Sequence, residues 1–180
     1  RTAGHWSFII FLIFTRMMDT KDKSIVCIGA GNVATHLSKA LQQKGFQLQQ
    51  VYSRTEESAR TLANTLGCKW TNQLAQVYEQ ADVYIVSVKD AVLETVIDQL
   101  AHCNPDALYL HTAGSMPMEV WKGKQKNYGV AYPMQTFSKQ REVRMEEVPF
   151  FIEANSTENL SQLREIAESL SSKVYELSLI

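Results

Sequence analysis

The chain has 180 residues, 45% of them hydrophobic, with 18 basic against 19 acidic side chains and a net charge of −1. That length suits one well-buried core rather than two domains. The balanced charge, with no run of Lys and Arg, lacks the electrostatic footprint of a nucleic-acid binder.

Reading from the N-terminus, residues 6–14 (WSFIIFLIF) are almost wholly apolar, yet too few to span a bilayer, which takes about 20. No small-x-small cleavage site follows them. We therefore expect residues 1–16 to lie upstream of a true start at Met17 or Met18, and residues 1–22 to stand outside the domain. A membrane-associating segment is the alternative, and it is disfavoured.

From Lys23 onward, β-rich runs alternate with helical periods. A strand is expected at 24–28, then a helix whose Val33, Leu37, Ala40 and Leu41 form one apolar face and which stops at Gly45. A second strand follows at 47–52. Thr55 is placed to cap the next helix, whose stripe of Ala59, Leu62, Ala63 and Leu66 ends before Gly67. Residues 68–71 read as a short strand and 72–79 as a helix. The run at 83–88 (VYIVSV) is apolar on both faces, as in the middle of a parallel sheet covered on each side.

Asp90 is read as the cap of a helix through about Ala101. Strands are expected at 108–111 and 128–131, a charged and solvated connection at 139–147, a strand at 150–153, a helix at 157–170 and a final strand at 174–177. This order predicts a doubly wound α/β domain over residues 23–180, with about eight mostly parallel strands and helices on both faces.

The three cysteines, Cys27, Cys68 and Cys103, lie far apart with no C-x-x-C pair. The four histidines, His5, His36, His102 and His111, lack metal-ligand spacing. Neither a metal site nor a disulfide framework is expected, and a reducing cytoplasm suits such cysteines.

The segment GAGNVA, Gly29 to Ala34, joins the first strand to the first helix. There Gly29 permits the sharp turn, Gly31 removes a Cβ that would keep a diphosphate from the backbone, and Ala34 lets the helix lie close to the strand. With Ala30, Asn32 and Val33, these residues would bring the first-turn N–H groups and the positive end of the helix dipole to an anion. The alternative is a tight turn with no ligand.

The second strand ends in Ser53-Arg54-Thr55. An NAD site usually places an acid here for the ribose hydroxyls, whereas a 2′-phosphate calls for positive charge. The Arg54 guanidinium therefore favours NADP over NAD. A methyltransferase using S-adenosylmethionine, another glycine-loop class, would also want an acid where Ser53 stands.

GAGNVA, SRT, SVKD (87–90), LHTAGSMP (110–117), YPMQTFSKQREV (132–143) and VPFFIEAN (148–155) together resemble the Rossmann domain of an oxidoreductase family with an uncharacterised helical C-terminal domain. That family is related to pyrroline-5-carboxylate reductases and deazaflavin-dependent NADP reductases. The resemblance covers the chain from about Ser24 to its end. It implies NADPH along the carboxyl ends of the strands and hydride exchange with a small-molecule C=N or C=O substrate. It also implies a helical domain beyond Ile180, and a homodimer formed through that domain. Val88-Lys89 is similar to the Val-Lys-Pro of the pyrroline-5-carboxylate reductases, with Asp90 in place of Pro.

Candidate cofactor contacts are thus Gly29, Ala30, Gly31, Asn32, Val33, Ser53, Arg54, Thr55, Ser87, Val88, Lys89, Thr112, Ala113 and Gly114. Lys89 is a candidate to hold the ribose or polarise a substrate oxygen, against a solvated helix-end charge. His111, ending the fifth strand, is a candidate proton donor, against a ring satisfied by a backbone carbonyl. Gly114 and Ser115 would let their loop approach the nicotinamide amide, and Gln135 and Thr136 sit on a loop at the same edge. Cys27 should be buried and inert, and His36 and His102 fall on helices where structural roles suffice. An NADP-sensing or scaffold module without catalysis remains the alternative to an enzyme.

Overall fold

A computed structural model describes residues 20–177; the expectations for residues 1–16 lie outside the described residues. Eight strands form one sheet in the order β3-β2-β1-β4-β5-β6-β7-β8. They are β1 (Ser24–Ile28), β2 (Gln47–Tyr52), β3 (Lys69–Thr71), β4 (Val83–Val86), β5 (Leu108–His111), β6 (Asn127–Pro133), β7 (Phe150–Ala154) and β8 (Val174–Glu176). Four α-helices connect them: α1 (Asn32–Gln43), α2 (Glu56–Leu66), α3 (Asp90–Asp98) and α4 (Thr157–Leu170). All neighbouring strands are parallel except β6 and β7. The result is a Rossmann-like α/β fold.

The central strands β4 and β5 are buried at every position, which explains why their sequences are apolar without alternation. Helices α1, α2 and α4 cover one face. Their Leu37, Leu41, Leu62, Leu66, Leu163 and Ile166 pack with Ile25, Ile85, Leu110 and Ile152. Leu41 and Leu110 are fully buried, so truncating either to Ala costs about 2–5 kcal/mol.

The other face is covered by α3, through Leu93, Val96 and Ile97, and by an aromatic column. In that column Tyr84 stacks on Tyr109 at 4.9 Å, and Tyr109 meets Trp121 at 5.7 Å. The Tyr hydroxyls donate to the carbonyls of Tyr78 and Asn104, whereas Trp121 Nε1 is buried without a partner.

Helix ends follow local chemistry. Gly67 takes the left-handed conformation after α2, and Ser156 Oγ accepts from Asn159 N at the start of α4. Thr55 does occupy the cap position of α2 but makes no side-chain cap bond.

Several boundaries differ from expectation. The helix expected at 72–79 is only a 3-10 turn, Leu74–Gln76. The Gln50 side chain reaches from β2 to donate to the Gln76 carbonyl and accept from Tyr78 N, so backbone groups that a helix would use are captured across the sheet. Asp90 is the first residue of α3 rather than its cap; Lys89 holds the cap position. Strand β4 ends at Val86, because the chain turns out through Ser87 and Val88. Strand β6 runs longer, to Pro133, since it pairs with β5 on one side and β7 on the other.

Candidate active site

Strand order places β1 between β2 and β4, with crossovers leaving in opposite directions, so a crevice opens at the carboxyl ends of the strands. It encloses about 640 Å³ and is walled by the loops after β1, β4 and β5, with Tyr132 and Lys139 arriving from the β6 side. A smaller depression of about 300 Å³ adjoins it between α1 and α2, beside Ala30, Thr35 and Ser58.

The two glycines of the first loop have different duties. Gly29 has φ +122°, and a Cβ there would lie far inside contact distance of the Ser87 carbonyl oxygen. Its N–H donates to the Tyr52 carbonyl at 2.7 Å, which closes the turn out of β1. Gly31 has ordinary extended geometry and caps α1 with no side-chain bond. A Cβ at Gly31 would meet nothing within 4 Å, so it would project into open space in the crevice wall. Bare main chain and the first turn of α1, which carries no acid, therefore present positive partial charge to that space. A dinucleotide diphosphate fits such a cradle, because no side chain at residue 31 occupies the open space.

Of the expected contacts, Gly31, Asn32, Val33, Ser87, Val88, Lys89, Thr112, Ala113 and Gly114 line the crevice together. Gly29 lies beneath it, and Ala30 borders the adjoining depression. Ser53, Arg54 and Thr55 sit beyond it at the end of β2, where Ser53 N donates to the Thr71 carbonyl and Arg54 is exposed. Gln135 and Thr136 are exposed on the loop after β6 and do not line the crevice.

The far wall is stitched by side chains. Thr112 Oγ1 donates to Ser87 Oγ at 3.0 Å, and Ser115 Oγ donates to the Asp90 carboxylate. His111 is fully buried. Its Nδ1 accepts from Ala113 N at 3.2 Å and its Nε2 donates to the Pro117 carbonyl at 3.3 Å. Burial pushes its pKa below the ordinary value, against the smaller opposing pull of the Pro117 carbonyl and the Asp90 charge. This is a neutral ring whose two nitrogens both hold the loop, with Trp121 stacked at 6.4 Å. Lys89, by contrast, is exposed at the head of α3.

Gly114 lines the crevice beside Tyr132. A Cβ there would fall 2.6 Å from the Tyr132 ring, so the missing side chain makes room for that ring across the loop. Tyr132 and Lys139 are wall residues that sequence reading did not single out. The only sequence signal for them was their place in the YPMQTFSK segment. The thiols take no part: burial pushes Cys27 up to about 12, and Cys68 and Cys103 to about 11. Among the described residues no helix is long and apolar enough to cross a membrane.

Residues 24–113, half of the chain, match the family model described as NADP oxidoreductase, coenzyme F420-dependent. Among solved structures, a Bacteroides fragilis protein designated an NADP oxidoreductase is 53% identical, with a TM-score of 0.86 over 89% of this chain and 62% of that one. A pyrroline-5-carboxylate reductase from Coxiella burnetii has 20% identity and a TM-score of 0.71, over 87% of this chain and 59% of its own. An imine reductase from Myxococcus stipitatus in complex with NADP+ has 18% identity and a TM-score of 0.70, over 86% and 54%. The last two show a shared fold alone. The chain spans about three fifths of the length of the first solved structures it matches. No curated protein matches it.

Proposed function

The chain belongs to the family of coenzyme F420-dependent NADP oxidoreductases, and from that premise we propose that it is the NADP-binding domain, residues 23–180, of an oxidoreductase acting on a C=N or C=O substrate. One observation carries the reading: the open main chain at Gly31, at the head of α1, faces a crevice at the topological switch point. NADPH, when bound, supplies the hydride.

In this reading the first-turn N–H groups of α1 hold the diphosphate, and Arg54, exposed at the end of β2, grips the 2′-phosphate. Lys89 leans into the nicotinamide end and polarises the substrate oxygen or nitrogen as negative charge develops there. His111 acts through the Thr112–Pro117 loop that it holds, since its Nε2 proton is engaged by the Pro117 carbonyl. Thr112, Ala113 and Gly114 form the wall against which the nicotinamide rests. Exclusion of water from the ring needs a further wall. We assign that wall to a helical domain and its dimer partner, in the part of the longer relatives that this chain does not span. We assign the protein to the cytoplasm, a reducing compartment that suits its free cysteines.

The cofactor assignment is tested by Arg54→Ala. It should weaken NADPH by more than tenfold, about 1.4 kcal/mol, and leave NADH nearly unchanged; equal losses would remove the 2′-phosphate role. The catalytic assignment is tested in a form carrying the relatives' full length. NADPH oxidation with an imine or keto acid should depend on Lys89. Binding of NADPH without turnover by any such substrate would favour a sensing or scaffold module.

A further inference from the structure

The connection after β6 reads, by sequence, as a solvated run of mixed charge, but its first residues are fixed against α1. Phe137 is buried in the α1 face of the core, and its ring lies 5.4 Å from that of His36. His36 sits one turn into α1, and its Nε2 lies 2.6 Å from the Ser138 carbonyl oxygen. A carbonyl can only accept, so Nε2 carries the proton and donates. Beyond this point Arg141 N donates to the Ser138 carbonyl and Gln140 N to Ser138 Oγ. The chain therefore makes a closed turn from which Lys139 projects.

Lys139 borders three hollows at once. One is the crevice beside Gly31, Asn32 and Val33. The second is the depression beside Ala30 and Thr35, and the third is a groove of about 490 Å³ along α1 that also holds Lys39, Lys44 and Arg144. A residue common to all three stands on the ridge above the first turn of α1. It is exposed and makes no ion pair among the described residues. A cation there faces the positive end of the α1 dipole with no acid in the first turn to offset it. Glu57, Asp90, Glu142 and Glu146 border the same three hollows farther along their rims, and an anion seated between the Lys139 ammonium and the first turn of α1 is attracted from both sides.

We propose that Lys139 is a ligand of the dinucleotide diphosphate, carried over the glycine loop by a Phe137-Ser138 strap, and that His36 is the positioning residue that locks the strap to α1. The proposal rests on the reading of the crevice as the NADP site. It selects the diphosphate rather than the 2′-phosphate because Lys139 shares the crevice with Gly31 to Val33, while Arg54 stands outside it at the end of β2.

The test is titration of the chain and its variants with NADPH and with NADH. Lys139→Ala should weaken both nucleotides by about the same factor, roughly tenfold for one charge-assisted contact. Lys139→Arg should stay within about threefold of the parent, and neither variant should shift Tm appreciably. His36→Ala should weaken both nucleotides by about threefold, and His36→Gln should restore them, because its amide can still donate to Ser138. Unchanged affinity in Lys139→Ala, or a loss confined to NADPH, would overturn the diphosphate assignment while leaving the crevice as the cofactor site. A loss in His36→Ala that Gln fails to restore would remove the locking role. A parent chain that binds neither nucleotide would instead overturn the site reading on which the proposal stands.

Discussion

The loop after β1 and the loop after β5 both line the crevice, and they are made rigid by opposite means. The first has almost no side chains: Gly29 is pressed against the Ser87 carbonyl, and Gly31 opens onto empty space. The second is held by its side chains: His111 bonds Ala113 and Pro117, Thr112 bonds Ser87, and Ser115 bonds Asp90. The difference shows how one crevice divides its work. Bare backbone offers unspent N–H groups to an anion, whereas a wall already satisfied internally offers shape and leaves little polarity for a ligand to claim.

That contrast predicts separable losses. Gly29→Ala should do the most damage, because its Cβ would strike backbone and its φ of +122° strains any L side chain. We expect a stability loss of about 3 kcal/mol, a fall in Tm of roughly 6–12 °C. A Tm within about 2 °C of the parent would show that the loop relaxes freely.

Gly31→Val should do the reverse. Nothing lies within 4 Å of its Cβ, so the cost to the fold is the weaker helix cap alone, about 1 kcal/mol. NADPH affinity should nonetheless fall about a hundredfold, or 2.7 kcal/mol. Retained affinity would mean the diphosphate lies elsewhere.

The smallest effect belongs to His111. Burial holds its folded pKa below the ordinary histidine value near 6.5, so near pH 6.5 the unfolded chain takes up a proton that the folded protein refuses. The stability it contributes is therefore fully present above pH 6.5 and declines as the pH falls below it. His111→Gln keeps a donor and an acceptor and should cost about 1 kcal/mol at pH 7. It should also flatten the fall in Tm between about pH 7 and pH 5. Equal slopes in variant and parent would contradict a neutral, buried ring.

The first loop was legible because everything that defines it is local. A β-branched run, two glycines and a helical stripe occur within about twenty consecutive residues, and the strand-helix-strand order supplies the context. The second wall was legible in place but not in duty. The position of His111 at the end of β5 could be read, but its two backbone partners depend on how the 112–117 loop folds over Trp121. Lys139 was missed for a topological reason, since it reaches the crevice only after Phe137 has anchored on α1 the chain returning from β6, and Tyr132, on β6 itself, enters the wall because Gly114 leaves room for its ring. The helix expected at 72–79 failed likewise, since the Gln50 side chain that displaces it belongs to another strand.

The central claim is that main chain at the head of α1 seats the diphosphate of NADP. Its most direct test is calorimetric titration of the purified chain with NADPH and with NADH. The account predicts saturable binding of one NADPH per chain, at least tenfold tighter than NADH and weakened about a hundredfold in Gly31→Val. Absence of saturable binding to either nucleotide, or binding that Gly31→Val leaves intact, would contradict it.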